Sequence, residues 1–448
     1  MKIPKIMAMA LLLMGRSWAA NLNEVVLPER VFSGLDGILK SAVQQSPRMV
    51  NRELDLQIAE DDRVIARAGM LPSIGLNYRY NQARDERADV AGRLSVTKTY
   101  YDFSLNQPLF FWGERRNTAR MGEIREKIAK GQYRDGYRLL VQELRSQYLQ
   151  LVVRKVSLAR IRYNQQFAKD QLAIGEDRLA KKVISGVEIF PLRLNSERAD
   201  IDLERAIFDF ENAKVSFARL AGLPAMKDES IPDAIPAVTY TAPAMDQLLA
   251  GFLSQKDYPT IEAFSLRNQI EIQDLDYLNQ KTRLRPKFSF NMGTNQDEQN
   301  YSLSSAQKFR VNSLYAGVQV QWTLFDGFAS HAATRISLAR RRQMENDYRD
   351  LTERLGQQAQ AQSRQIYFSA RNMSINDRFL TAGEGNLKTR QDEFKRGAIS
   401  EADVSLAQLG LYDAQVNAYN ARADYLLKVG DFLGTLTEDP ALANVAAK

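Results

Sequence analysis

The chain has 448 residues, 44% hydrophobic and 26% charged, a composition that excludes intrinsic disorder and allows a sizeable buried core. Its formal net charge of +7 arises from 61 Lys and Arg against 54 Asp and Glu scattered along the chain, without the concentrated basic stripe that nucleic-acid binding needs. With no cysteine and a single histidine, His331, there is no material for disulfides, thiolate metal sites, a cysteine nucleophile or a cysteine-linked lipid anchor. Most hydrolytic, redox and zinc chemistry loses its usual participants, so no cofactor and no catalysis are expected.

Residues 1–19 read as a signal peptide: Lys2 and Lys5 give a positive start, Ile6 to Met14 an apolar run, and Ser17, Trp18, Ala19 a small-x-small exit with cleavage expected after Ala19. No later stretch reaches the roughly 20 continuous apolar residues of a membrane-spanning helix, so a mature chain that crosses a membrane must cross it with strands.

Residues 20–222 read as a first structural repeat. After an opening helix, strands are predicted over 72–80 and 98–110: Ile74, Leu76, Tyr78 and Tyr80 alternate with Ser73, Gly75, Asn77 and Arg79, and Tyr101, Phe103 and Leu105 alternate with Asp102, Ser104 and Asn106. No proline occurs between Pro108 and Pro191, which predicts a long helix over 113–181, on the order of 100 Å if continuous, followed by a helix over 187–221. Tyr137, Val141, Leu144, Tyr148, Leu151 and Leu158 advance in steps of a coiled-coil seam. A Pro-rich linker, 223–244, leads to a second repeat, 245–436, with strands over 286–294 and 312–324, a long helix over 326–395 and a helix over 400–436; residues 437–448 form a tail.

The halves correspond in sequence. Leu35 to Leu39 with Pro47 matches Met245 to Leu249 with Pro259, Gln107 to Gly113 matches Gln321 to Gly327, and Ile184, Ser185 and Glu188 match Ile399, Ser400 and Asp403. Taken singly, the seam fits a plain soluble coiled coil and the alternation fits a half-buried soluble sheet. Strands of about ten residues with Tyr101, Phe110, Phe111 and Trp322 suited to interfaces also fit a transmembrane barrel. Four strands cannot close such a barrel, so a membrane reading requires several chains to share one.

The duplicated halves, the Leu71–Pro72 and Arg285–Pro286 entries into strands, the Trp322 to Gly327 exit into a long helix, and the turn Phe394 to Ser400 followed by Asp403 and Val404 resemble the TolC family of outer-membrane efflux channels over nearly the whole mature chain. The resemblance implies a mainly α fold with a small β part: a homotrimer with a 12-stranded barrel, four strands from each protomer, above a tunnel of long antiparallel coiled-coil helices in the periplasm. It implies an outer-membrane exit duct of a tripartite efflux or type I secretion system, with a periplasmic adaptor (membrane fusion protein) and an inner-membrane transporter as partners, the charged stretches Asn81 to Lys98 and Asn295 to Arg310 as loops outside the cell, and no reaction catalysed.

By the same resemblance Asp403 and its repeat-equivalent Glu188 are candidates for a periplasmic gate, where symmetry-related carboxylates concentrate a negative field in a constriction. The bland alternative for each is a helix-start acid stabilising the first turn. Leu406 stands where family channels often carry a second acid. Adaptor docking is assigned to Arg178, Leu179, Lys181 and Lys182 on the first tip and Lys395, Arg396, Gly397 and Ser400 on the second; the bland reading of the cations is a solvated helix end. Gly397 is expected to be left-handed, and Lys182 in its place predicts a different turn on the first tip. The competing functional readings are a periplasmic structural coiled coil or adaptor without a pore, and a carboxylate enzyme using Asp102 or Asp326, neither of which lies in an acid–base constellation. His331 is expected on a helix surface.

Overall fold

The computed structural model describes residues 25–86, 93–301 and 308–445; the expected signal segment and its cleavage site lie outside the described residues. The chain is mainly helical with one four-stranded sheet and is built twice over, as the fold class expected. In order the elements are α1 (Pro28–Val31), α2 (Ser33–Gln45), α3 (Pro47–Ala68), β1 (Ser73–Glu86), β2 (Arg93–Phe110), α4 (Glu114–Ala180), α5 (Gly186–Ala221), α6 (Ala242–Leu253), α7 (Ile261–Lys281), β3 (Lys287–Tyr301), β4 (Lys308–Gln321), α8 (Ala329–Lys395) and α9 (Glu401–Leu436). One-turn 3-10 helices at Asp228–Ser230 and Pro440–Val445 complete them.

Each repeat was expected to open with one helix, and this is corrected: the first repeat opens with three and the second with two. At the α2–α3 break, Ser46 is extended (φ −66°, ψ 129°), since the ring of Pro47 disfavours helical backbone in the residue before it. A second correction concerns the loops. The stretches Asn81 to Lys98 and Asn295 to Arg310 are largely strand, with Asn81 paired to Lys98, Glu86 to Arg93, and Asn300 to Lys308. The hydropathy alternation ends before the strands do, because ladder hydrogen bonds join backbone groups whatever the side chains are. Residues 87–92 and 302–307 lie outside the described residues.

The chain divides into two compact units. The first gathers residues up to Leu54, Gln132–Ala263 and Leu351 onward. Here α4 and α5 form one helical hairpin and α8 and α9 another. The predicted seam is the core: Tyr137, Val141, Leu144, Tyr148, Leu151 and Leu158 are all buried. Charged groups also sit inside it, with their partners. Arg145, 1% exposed, donates from Nε to Glu29 (2.9 Å) and from Nη2 to Asp439 (2.9 Å), while Asp439 also accepts from the Ala441 N–H (3.0 Å). Burial disfavours the Arg145 charge, but the hydrogen bonds and field of Asp439 and Glu29 outweigh it and hold the guanidinium above its ordinary pKa. Tyr137 adds a second tie, donating to the Leu39 carbonyl (3.0 Å) and accepting from Asn444 (3.2 Å). Segments from both ends of the chain are thereby fastened to the middle of α4. The linker between repeats is fastened likewise: Lys155 Nζ reaches the carbonyls of Asp228 (3.0 Å) and Ile231 (2.6 Å), and Arg422 donates to the Ile235 carbonyl.

The second unit, Asp55–Gly131 with Phe264–Asp350, holds the sheet. Its strands are antiparallel in the order β1-β2-β3-β4. Register places Ile74, Leu105, Met292 and Ala316 in one row and Leu76, Phe103, Thr294 and Leu314 in the next on the same face. The opposite face carries Asn77, Asp102, Asn295 and Ser313, then Gly75, Ser104, Gly293 and Tyr315. Tyr315 lies across Gly293 and donates to Asp102 (3.1 Å); a Cβ on Gly293 would fall 2.7 Å from the phenol oxygen. At the helix junction Trp112 donates from Nε1 to the Pro286 carbonyl (2.8 Å), and Arg285 lies over its ring at 4.7 Å.

The duplication is metrically regular. The starts of α4 and α8, their ends, and both ends of α5 and α9 are each separated by 215 positions, Glu114 with Ala329 and Ala221 with Leu436. The positive-φ residues pair at the same interval: Trp112 (53°) with Gly327 (63°), Gly113 (87°) with Phe328 (68°), Lys182 (57°) with Gly397 (74°), and Gly222 (76°) with Thr437 (62°). The sequence match of Gly113 to Gly327 is therefore out of register by one. Each pair has kept glycine in one copy only, so the backbone is repeated even where the residue suited to it is not.

Two outcomes are expected. Arg145→Leu leaves Glu29 and Asp439 without their buried partner and should cost about 3–5 kcal/mol in urea unfolding followed by circular dichroism. Lys182→Gly relieves a left-handed β-carbon and should stabilise by about 1 kcal/mol, with Gly397→Lys destabilising to a similar degree.

Candidate functional site

The two hairpin tips are built on one plan. On the first, Val183 N–H bonds the Arg178 carbonyl (2.8 Å) and Lys182 N–H the Leu179 carbonyl (2.9 Å). On the second, Ala398 N–H bonds Glu393 (3.0 Å) and Gly397 N–H bonds Phe394 (2.8 Å). Both are left-handed helix endings with the same pair of closing bonds. The expectation that Lys182 makes a different turn is corrected: the ladder around position 182 over-determines its backbone, and lysine adopts the glycine conformation at some strain.

Three residues past each left-handed position stands a serine N-cap. Ser400 Oγ accepts from the Asp403 N–H (3.3 Å), while an Asp403 carboxylate oxygen accepts from the Ser400 N–H (2.9 Å) and hydroxyl (2.6 Å). Ser185 and Glu188 repeat this reciprocal box, with Glu188 accepting from the Ser185 N–H at 2.6 Å. The Ser400 hydroxyl and then its N–H hold the Asp403 carboxyl below the usual carboxylate range, and the Ser185 N–H and then its hydroxyl do the same for Glu188. The bland alternative, an acid completing the first helical turn, is thus realised at both positions, and both carboxylates remain exposed and ionised.

Of the other tip residues, Arg178, Lys181, Lys182, Lys395, Arg396, Gly397 and Ser400 are exposed and Leu179 is half-buried. Lys181 pairs with Asp177 (2.7 Å) and Lys395 with Asp392 (3.3 Å) on their own helices. Sequence reasoning missed the apolar surface at the tips, where Val183 (69%), Val187 (82%) and Phe190 (59%) are exposed on the first and Leu406 (56%) on the second. Val187 and Phe190 sit three apart just past the N-cap, a spacing that marks one helix face and was available in the sequence.

Asp102 accepts from Tyr315, and Asp326 accepts from the N–H (2.9 Å) and hydroxyl of Ser330 at the start of α8, so both carboxylates serve structure. His331 is exposed on α8. No helix among the described residues is long and apolar enough to cross a membrane.

The outer membrane efflux protein family matches residues 38–189, from α2 through the first tip. No curated protein matches the chain. Among solved structures, the CmeC outer membrane channel of Campylobacter jejuni is similar with a TM-score of 0.66 at 12% identity, covering 91% of this chain and 86% of that one. The VceC outer membrane protein of Vibrio cholerae gives 0.61 at 14% identity over 91% and 97%. The open-state MtrE outer membrane channel of Neisseria gonorrhoeae gives 0.61 at 14% over 90% and 88%. The resemblance read from the sequence holds: the chain matches the outer membrane efflux protein family over residues 38–189 and has the fold of solved outer-membrane channels over nine-tenths of its length.

Proposed function

We propose that this chain is one protomer of a trimeric outer-membrane channel, the exit duct of a tripartite efflux or type I secretion system, with its helical hairpins in the periplasm. The observation that carries this is the sheet. One face is apolar and exposed, with Leu76 at 72% and Leu314 at 86%, while the other is polar and glycine-rich. In water that arrangement is inverted; in a bilayer it is an apolar band outside and a wet lumen inside. The outer edges of β1 and β4 have no strand partner among the described residues, and lipid does not tolerate open edges. Completion by further copies satisfies them, and three copies of four strands give the 12 that the family resemblance implies.

A periplasmic structural coiled coil or adaptor without a pore would not need this apolar sheet face, which disfavours that reading. The tips are the part that would meet an adaptor and an inner-membrane pump: they offer exposed cations beside exposed valines and phenylalanine. Asp403 and Glu188 act at the aperture in this reading. Their capping bonds fix each carboxylate against its helix start, so a ring of such acids is held in place without needing a second acid at Leu406.

The test is conductance of the purified protein in a planar bilayer. Discrete steps are expected, and Asp403→Asn, which keeps a side-chain cap but removes the charge, should change their size or cation preference; absence of any step would sink the channel. Because the folded carboxyl pKa values are lowered, the capping contribution is present above the unfolded value near about 4 and is lost as pH falls through the lower folded value. Conductance should hold steady from neutral pH down to about 5 and change only below about 4.

A further inference from the structure

We infer that the copies are locked together along the hairpins by an acidic, apolar face of α5 on one protomer seated against a basic, apolar face of α8 on the next. This rests on the trimeric reading above and says which surfaces make the ring. On α5, Leu194, Ile201, Phe208 and Val215 recur at every seventh residue and are 49%, 58%, 65% and 66% exposed. On α8, Phe368 and Ile375 stand seven apart with Phe379 beside them, 62%, 49% and 62% exposed. Apolar residues seven apart keep to one line along a helix, and here two such lines lie open on one protomer.

Their charges are complementary. Three residues beyond Leu194, Ile201 and Phe208 stand Glu197, Glu204 and Glu211, all exposed. Three residues beyond Phe368 and Ile375 stand Arg371 and Arg378, with Arg364 one heptad earlier, again all exposed. The hairpins fix the directions. α4 meets α9 antiparallel through Tyr163 with Tyr412 (ring centroids 5.7 Å apart) and Arg160 with Asp413. α5 and α8 are the respective hairpin mates of these helices, so α5 and α8 also run in opposite senses.

When two right-handed helices lie antiparallel with their stripes facing, the flanks three residues onward fall on the same side of the seam. The glutamate row of α5 then meets the arginine row of α8. On the other flank Arg198 and Arg205 of α5 meet Gln365, Asn372 and Phe379, which bear no positive charge to repel them. Two different faces, each matched to the other and not to itself, make a heterologous contact of the kind that closes into a ring. Glu211 also bonds Lys214 on its own helix (2.7 Å), so Glu197 and Glu204 carry the acidic side of the match with least competition.

The experiment compares trimer survival of the mature protein in mild detergent, by native mass spectrometry and by heating in SDS. The variants are E197K/E204K/E211K, R364E/R371E/R378E and the six-fold combination. All six positions are exposed, and circular dichroism checks that each protomer keeps its helices. Each triple variant should lose its trimer at a temperature and salt concentration that leave the wild type intact, and the combination should regain it. Triple variants as heat-resistant as the wild type would overturn the seam. So would an intact trimer that has lost only its cross-linking to a periplasmic adaptor, since the face would then belong to the adaptor. A wild type that is monomeric in detergent would instead overturn the trimeric reading on which the seam rests.

Discussion

An unpaired backbone N–H or C=O in hydrocarbon costs several kcal/mol, and that cost organises this molecule. The sheet turns an apolar face outward along all four strands, which makes lipid its natural solvent, yet it ends on two open edges. A single protomer therefore cannot be at home in a membrane. Closure by further copies removes the edges at once and leaves the polar face, with Asn77, Asp102, Asn295 and Ser313, lining the interior. The glycine at 293 and the tyrosine at 315 belong to that same face, where a large side chain is accommodated by giving up its neighbour's β-carbon.

The helical unit answers a different problem. A repeating seam fits itself in more than one register, so the register of these hairpins has to be set somewhere. Arg145 does this at the centre of the core, binding a glutamate near the start of the described chain and an aspartate near its end. Breaking either contact strands a buried charge, so the tie is strongly specifying even though a buried ion pair adds little net stability. Lys155 and Arg422 pin the linker between repeats by its carbonyls, which keeps the second hairpin in step with the first. At the far ends, serine boxes and left-handed turns terminate both hairpins alike, leaving cations and apolar side chains exposed there.

Much of this was legible in the sequence because it rests on periodicity. The seam from Tyr137 to Leu158, the alternation from Ile74 to Tyr80, and the proline-free stretches each report an element whose pattern the solvent enforces. The strands beyond Asn81 and Asn295 were not legible, since backbone pairing continues where the two faces no longer differ in polarity. Lys182 misled for a related reason: a residue's conformational preference was outweighed by the hydrogen bonds around it. Arg145 gave no signal, because a lone arginine in a charged helix is unremarkable until partners 116 and 294 positions away are brought to it. Asp403 and Glu188 stood out as candidates, but the sequence alone did not distinguish an acid that caps a helix from one that faces an aperture; here each carboxylate caps its helix start.

The central claim is that β1 of one copy pairs with β4 of another. The chain has no cysteine, so pairs introduced on these two strands, scanning Leu76 and Tyr78 against Ala316 and Val318, are the sole thiols present. Within one protomer the two edge strands are separated by three interstrand spacings, about 14 Å, too far for a disulfide. Oxidation in the membrane should therefore give covalent dimers and trimers for at least one pairing, and monomers alone across the whole scan would contradict the account.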